Sequence, residues 1–170
     1  MSIIKKTFIK LFISVIFLFG YANAQELTKI GTYKDWETMV VNSEGGKVCF
    51  AQSKPVLQSP KKNDREARLF VTFRPSDKIS DEVSTTSGYE YNSQNSIIAA
   101  SGKSKYKFDI AQDNFAWISS NKTEKKIVKR MKKASRIMIT GYNQSGSQTI
   151  DHYSLMGFTK AYNAAKQNCS

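Results

Sequence analysis

The chain has 170 residues, of which 26 are basic and 14 acidic, and its formal net charge is +12. A chain of this length suits one domain that can bury a core without help from metal ions. After one apolar run at the start there is no second one, which excludes a transmembrane span in the rest of the chain.

The first 24 residues have the pattern of a cleavable signal peptide. A lysine-rich start is followed by the apolar run Leu11–Gly20 and by the small residues of Ala22-Asn23-Ala24. The alternative is a retained membrane helix, but the apolar stretch over residues 8–22 is shorter than the roughly 20 residues that a bilayer requires. We therefore predict cleavage before Gln25, export, and a single mature domain over residues 25–170.

Most of the mature domain is predicted to be β-strand. The indications are alternating apolar residues and β-branched or aromatic side chains, separated by turn residues such as Gly45-Gly46 and Ser145-Gly146. The predicted strands are residues 35–41, 47–53, 68–74, 82–91, 96–100, 105–110, 115–119, 136–143 and 148–155. Residues 54–67 are predicted to form an exposed loop. This spacing predicts a mainly β fold, an antiparallel sandwich or a partly closed barrel.

Two segments have the period of a helix. In Asn121–Ala134, Ile127, Val128, Met131 and Ala134 form one apolar stripe, and Asn121 with Glu124 resembles a capping box. In Gly157–Asn168 a second stripe is expected on one helical face. Its members are Phe158, Ala161, Tyr162 and Ala165. We expect the apolar stripe of the first helix to pack on the sheet.

The first helix is the most informative local feature because it is strongly basic. Seven basic residues and one acid give a charge of +6 over fourteen residues. The basic residues are Lys122, Lys125, Lys126, Lys129, Arg130, Lys132 and Lys133. One interpretation is a surface that binds anionic lipids or polymers; the other is a solvated face that only keeps the protein soluble. Specific nucleic-acid binding is not expected, because the helix lacks aromatic residues for stacking.

The mature domain as a whole also favours anionic partners. Without the three lysines of the predicted signal peptide, 23 basic residues remain against 14 acidic ones, a net charge of +9. Lipid head groups, surface polysaccharide, nucleic acid or an acidic protein are all compatible with such an excess, and charge alone does not choose between them.

Cys49 and Cys169 are the two cysteines of the chain. In an exported protein an even count favours a disulfide, and two cysteines permit one intramolecular pairing. The alternatives are two buried free thiols or an intermolecular bond.

Signals for catalysis are weak. His152 is the one histidine, in a predicted strand where Asp151 and Tyr153 point to the opposite face. No metal-ligand, nucleophile or nucleotide-binding motif is present. We therefore assign no catalytic, cofactor or metal residues.

Aromatic residues are abundant in the predicted strands, and we expect most of them in the core. They are Trp36, Phe50, Phe70, Phe73, Phe108, Phe115, Trp117 and Tyr142. Tyr89 and Tyr91, beside Gly88, are instead expected at an exposed loop edge.

Several segments together resemble the invasion-associated locus B family of exported bacterial proteins. They are YKDWE at residues 33–37, KVCFAQSKP at 47–55, FVTFRPSDKISDEVSTTSGY at 70–89, FAWISS at 115–120, the basic helix with its following strand, and DHYSLMGFTKAYNAAKQNC at 151–169. The resemblance implies a secreted or periplasmic β-sandwich and, by analogy, a role in adhesion or invasion. Many relatives place a further cysteine shortly after the DW motif. Its absence here favours the pairing of Cys49 with Cys169.

Three functions follow in order of preference. The first is a non-enzymatic envelope or secreted protein whose basic helix binds an anionic envelope or host-surface component. The second is a periplasmic structural or stress-related protein that acts through protein contacts. The third is an enzyme of unknown class.

Overall fold

The computed structural model describes residues 26–61 and 65–170, which form twelve strands and two α-helices. The predicted signal peptide, residues 1–24, lies outside the described residues. The strands are β1 (Glu26–Tyr33), β2 (Trp36–Ser43), β3 (Gly46–Ser53), β4 (Leu57–Ser59), β5 (Ala67–Arg74), β6 (Ile79–Ser87), β7 (Ile97–Ser101), β8 (Ser104–Phe108), β9 (Ile110–Gln112), β10 (Phe115–Trp117), β11 (Arg136–Tyr142) and β12 (Gln148–Ser154). The helices are α1 (Asn121–Met131) and α2 (Phe158–Asn168). None of the helices in the described part is long and apolar enough to cross a membrane.

The strands form two antiparallel sheets. The larger has the order β1-β2-β3-β5-β6-β10-β9 and the smaller the order β4-β12-β11-β7-β8. Within the described ranges the sheets do not close on each other, so the predicted fold class is confirmed as a sandwich rather than a barrel. Three strands were not predicted. They are β1, which is exposed along most of its length, β4, which interrupts the predicted loop, and β9, which begins at the last residue of the strand predicted for residues 105–110.

One hydrophobic core lies between the sheets and under α2. Alternate residues of the central strands point into it, as in β3, where Cys49, Ala51 and Ser53 are buried while Phe50 and Gln52 are half-buried. The predicted stripe of α2 is buried against it: the ring of Phe158 lies 4.8 Å from that of Trp36. The hydroxyl of Thr38 in β2 also donates to the carbonyl of Ala161 at 2.9 Å. Packing of the sheet and helix faces therefore stabilises the fold by the burial of apolar surface.

The start of α2 requires a glycine. Gly157 has φ +93°, and a Cβ there would lie 1.7 Å from the carbonyl oxygen of Tyr33. Only a residue without a side chain permits this close approach of two backbones. The chain thereby turns from β12 into α2 directly against the connection between β1 and β2.

The two cysteines are bonded to each other, as predicted. The Sγ atoms of Cys49 and Cys169 are 2.02 Å apart and the Cα atoms 5.8 Å apart. Cys49 is fully buried in β3, and Cys169 follows the last residue of α2. The bond fastens the end of α2 to the larger sheet.

The prediction for Tyr91 is wrong. Its side chain is buried and its hydroxyl lies 2.9 Å from that of Ser87. The cause is that the strand predicted for residues 82–91 ends at Ser87, after which the chain folds back and Tyr91 pairs with Asn143. Tyr89 is half-buried and its hydroxyl bonds to that of Thr149.

The two sheets are also joined by a buried ion pair. Arg65 Nη1 donates to Asp151 Oδ2 of β12 at 3.0 Å and to the carbonyl oxygen of Ser87 of β6 at 2.8 Å. Gln58 of β4 adds a hydrogen bond to the same carboxylate. Breaking such a pair by removing one partner leaves a buried charge without compensation.

Candidate functional site

The basic helix α1 begins one residue away from the predicted cap. Ser120 has extended backbone angles, and its hydroxyl accepts from the N–H of Thr123. The predicted capping box of Asn121 and Glu124 is therefore wrong. Glu124 is buried, and its Oε1 instead accepts from the N–H of Val83 in β6 at 3.0 Å. Because β10 ends at Trp117, no neighbouring strand supplies an acceptor for the N–H of Val83. The carboxylate of Glu124 accepts this hydrogen bond instead.

Glu124 is unusual for a helix that is otherwise cationic on its polar side. Burial raises the pKa of this carboxyl above its ordinary value, while the hydrogen bond from Val83 works in the opposite direction. The one acid of α1 is thus engaged with the sheet rather than with the lysines beside it.

The predicted apolar stripe of α1 packs into the core. Ile127 is fully buried, and Val128 and Met131 are nearly so. The helix ends at Met131, and Ala134, predicted as its last stripe residue, is only partly buried beyond that end. The stripe fixes which side of α1 faces the solvent.

The structure brings all seven predicted basic residues together on the outer side of α1 and the turn after it. This set, Lys122, Lys125, Lys126, Lys129, Arg130, Lys132 and Lys133, is called the basic patch below. Six of the seven are exposed, and Arg130 is half-buried. Among the residues that the structure describes, no carboxylate forms an ion pair with any of them.

Two members of the basic patch are also used in packing. The ammonium of Lys132 lies 3.6 Å from the ring centre of Tyr162 in α2, and desolvation there lowers its pKa. The hydroxyl of Tyr162 in turn donates to Asp81. Arg130 Nε donates to the hydroxyl of Ser101 in β7 at 3.2 Å. The remaining five side chains have no such contacts in the described structure.

The basic surface is wider than the sequence pattern predicted. A cleft of about 380 Å³ lies between the end of α1 and the turn of β7 and β8, and Arg130, Lys133 and Arg136 line it. Lys166 of α2 is close enough to Lys132 for its charge to lower the pKa of that lysine. Arg136 follows the basic run closely in sequence, so the predicted basic surface could have included it. Lys166 is far away in sequence, and only the fold brings it to this surface.

His152 lies in β12 on the face opposite to Asp151 and Tyr153, as predicted. Both neighbours are fully buried, while His152 is half-buried between Met138 and Leu57 on the adjacent strands. Over residues 26–61 and 65–170, no cluster of three or more histidine, cysteine or acidic residues has the geometry to hold a metal ion. The chemistry that the basic patch offers is electrostatic attraction and hydrogen-bond donation to anionic groups.

The fold and this surface define a small disulfide-bonded β-sandwich with a basic helical face. The family model of the invasion associated locus B (IalB) protein matches residues 36–166, and the chain belongs to this family. No curated protein and no solved structure matches it. Proteins of the family are exported by bacteria, and the disulfide fits a location in the envelope. Membership is also consistent with an invasion-associated protein.

Proposed function

We propose that the chain is a non-enzymatic exported protein of the periplasm or the medium, which binds an anionic envelope or host-surface component through the basic patch. The observation that carries the proposal is that six of the seven side chains of the patch are exposed and none forms an ion pair with a carboxylate in the described structure. The family's association with invasion supports a role at a surface.

The basic patch is a concentrated source of positive potential. Its charges lie on α1 and the turn after it, and the opposite side of the helix is buried in the core through Ile127, Val128 and Met131. Preorganised charges of one sign attract a surface of the opposite sign without first having to be ordered. Near an anionic membrane each lysine contributes about 1 kcal/mol, so four lysines contribute up to about 4 kcal/mol, or about a thousandfold in affinity.

The test compares two quadruple variants of equal charge. In the patch variant, Lys122, Lys125, Lys126 and Lys129 are replaced by Gln, which keeps good helix formers and leaves Lys132 on Tyr162. The control variant replaces four exposed lysines remote from α1 in the chain by Gln. These are Lys34, Lys47, Lys54 and Lys61.

Binding is measured by sedimentation with vesicles of neutral and anionic lipid and by retention on heparin, each across a salt series. We expect wild type and control to bind the anionic probes in a way that weakens steeply with salt. The patch variant should lose most of that binding. Equal binding by the two variants would show that the basic patch is only a solvated face. If wild type binds none of the anionic probes, a role through protein contacts is favoured.

Export is tested separately by sequencing the N-terminus of the protein recovered from periplasm and medium. The proposal expects a chain that begins at Gln25. A protein in the cytoplasm that still begins at Met1 would contradict it.

A further inference from the structure

The outer face of the larger sheet carries a row of aromatic side chains. It is formed by Phe50 of β3, Phe70 of β5 and Phe115 and Trp117 of β10, all half-buried. Consecutive ring centres are 6.0, 6.1 and 5.8 Å apart, so the four rings touch in sequence across the sheet. These four residues are called the aromatic row. The alternation of apolar residues predicts these side chains in the core, but they lie on the opposite face of the sheet.

Small polar residues make the row continuous. Strand β6 lies between β5 and β10, where Ser84 pairs with both Phe70 and Trp117 in register. Because serine is short, the rings on either side of β6 reach each other above it. Gln52 and Thr72 flank the row on the neighbouring positions of β3 and β5. The face is therefore a line of ring surfaces bordered by hydroxyl and amide groups.

The described elements that cover the larger sheet lie on its other face. Helix α2 contacts Trp36 and Phe73, whose side chains point into the core. The row thus has an apolar surface that faces outward, where burial by a ligand is favourable.

The aromatic row ends in a cleft of about 440 Å³, a volume in the range of small-molecule sites. Trp117 and Ile110 provide apolar walls, and the polar lining includes Gln112, Glu124 and the pair of Arg74 with Glu82. Glu82 and Arg74 are held together by two hydrogen bonds of 3.2 and 2.8 Å. Planar carboxylate, guanidinium and amide groups beside an indole are suited to a ligand rich in hydroxyl groups.

The charges along this face are close to balance, and in the lining of the cleft Arg74 and Lys78 are matched in number by Glu82 and Glu124. Lys29 pairs with Glu37 at 2.6 Å, Arg68 with Glu66 at 2.9 Å, and Arg74 with Glu82 at 2.8 Å. The contrast with the basic patch indicates an uncharged ligand. We propose that the aromatic row and its cleft bind an uncharged glycan chain, with sugar rings stacked on the aromatic faces and the end of the chain in the cleft beside Trp117.

The chemistry of a sugar ring matches this surface. Its C–H groups form an apolar face that is attracted to the negative face of an aromatic ring, and its rim of hydroxyls both donates and accepts hydrogen bonds. The competing occupant is a second copy of the chain. A stable dimer buries a patch whose centre is depleted in charged residues. The apolar surface of the row, which continues through Met39 onto β2, is instead bordered by Gln52 and by the charged pairs of Arg68 and Arg74.

The two tryptophans of the chain allow a direct test by NMR. The indole N–H of Trp36 is buried and donates to the carbonyl of Ser154 at 2.9 Å, whereas Trp117 lines the cleft. The protein is titrated with linear hexamers of glucose, in the α and the β linkage, and of N-acetylglucosamine. At least one should shift the indole signal of Trp117 and leave that of Trp36 in place. Absence of a shift with every hexamer would overturn the proposal.

Variants then assign the contact to the row. Phe70→Leu keeps an apolar side chain but removes the ring face, and should weaken binding about tenfold or more. Tyr142→Ala, which removes a half-buried aromatic residue of the smaller sheet, is the matched control and should bind as wild type does. Equal affinity of Phe70→Leu and wild type would refute the assignment.

Two further measurements separate this proposal from the others. Glycan binding should persist at high salt and in the patch variant, because the aromatic row is uncharged and none of the four replaced lysines lines the cleft. Loss of the Trp117 shift at high salt or in the patch variant would show that the glycan binds at the basic patch instead. A shift of Trp117 that depends on protein concentration alone, together with a dimer in analytical ultracentrifugation, would show a second copy on the row and overturn the glycan proposal.

Discussion

Loss of the disulfide should destabilise the protein mainly through the unfolded chain. Cys49 and Cys169 are 120 residues apart, and closing a loop of that length removes conformational entropy worth about 5 kcal/mol in the chain-entropy model. Losses measured for native disulfides in small secreted domains are about 2–5 kcal/mol. Cys169→Ser is the suitable change, because Cys169 is half-buried whereas Cys49 lies in the apolar core, where a free thiol is tolerated. We expect the free energy of unfolding to fall by about 2–5 kcal/mol.

The effect on the native state should be local. Phe158, Ala161, Tyr162 and Ala165 bury the first two turns of α2 independently of the bond. Only the last turn, from Lys166 on, depends on the bond for its attachment to β3, and free chain ends fray. Amide hydrogen exchange should therefore show lost protection in that turn and retained protection before it.

The assay is denaturant unfolding of oxidised wild type, reduced wild type and Cys169→Ser, with hydrogen exchange on each. Reduced wild type is the internal control and should match the variant. An unchanged free energy of unfolding would refute the loop-closure argument. Exchange throughout α2 would refute the claim that core packing holds the helix without the bond.

Three further results are expected. Ile127→Ala removes a fully buried side chain and should lower the free energy of unfolding by about 2–5 kcal/mol in urea. The folded variant should still bind anionic probes through the basic patch. A change near zero would place the side chain outside the core. Burial raises the pKa of Glu124, so its protonation stabilises the folded protein fully below the ordinary value of 4.5, and this contribution is lost as the pH rises through the folded pKa. Glu124→Gln should therefore gain stability relative to wild type between pH 4.5 and neutrality in unfolding curves taken across that range, and a constant difference would contradict the pKa direction. His152→Gln should leave vesicle and heparin binding unchanged, and loss of binding by a folded variant would revive a metal or catalytic role.

The elements predicted correctly have strong local signals. The hairpin of β11 and β12 follows from alternating residues around Ser145-Gly146, and the stripe of α2 follows from its helical period. In contrast, β1 is almost wholly exposed, so its sequence carries little alternation to detect. Its place is set by pairing with β2, which is a tertiary effect.

The errors arise where a side chain has a distant partner. The sequence predicts a local capping box for Glu124, but the N–H that its carboxylate accepts from belongs to Val83, 41 residues away. Phe70 and Trp117 were assigned to the core because alternation shows which residues share a face but not which face is inside. The basic patch was predictable because its members lie close together in the sequence, whereas only the fold brings Lys166 near Lys132.

The ion pair of Arg65 with Asp151 bears on whether binding at the aromatic row changes the affinity of the basic patch. Since the same guanidinium holds a carboxylate of one sheet and the Ser87 carbonyl of the other, the sheets cannot slide past each other without exposing a buried charge. The ion pair therefore opposes a relative movement of the sheets that could carry an effect from one surface to the other. Occupation of the aromatic row and of the basic patch should therefore be thermodynamically independent, with a coupling free energy close to zero.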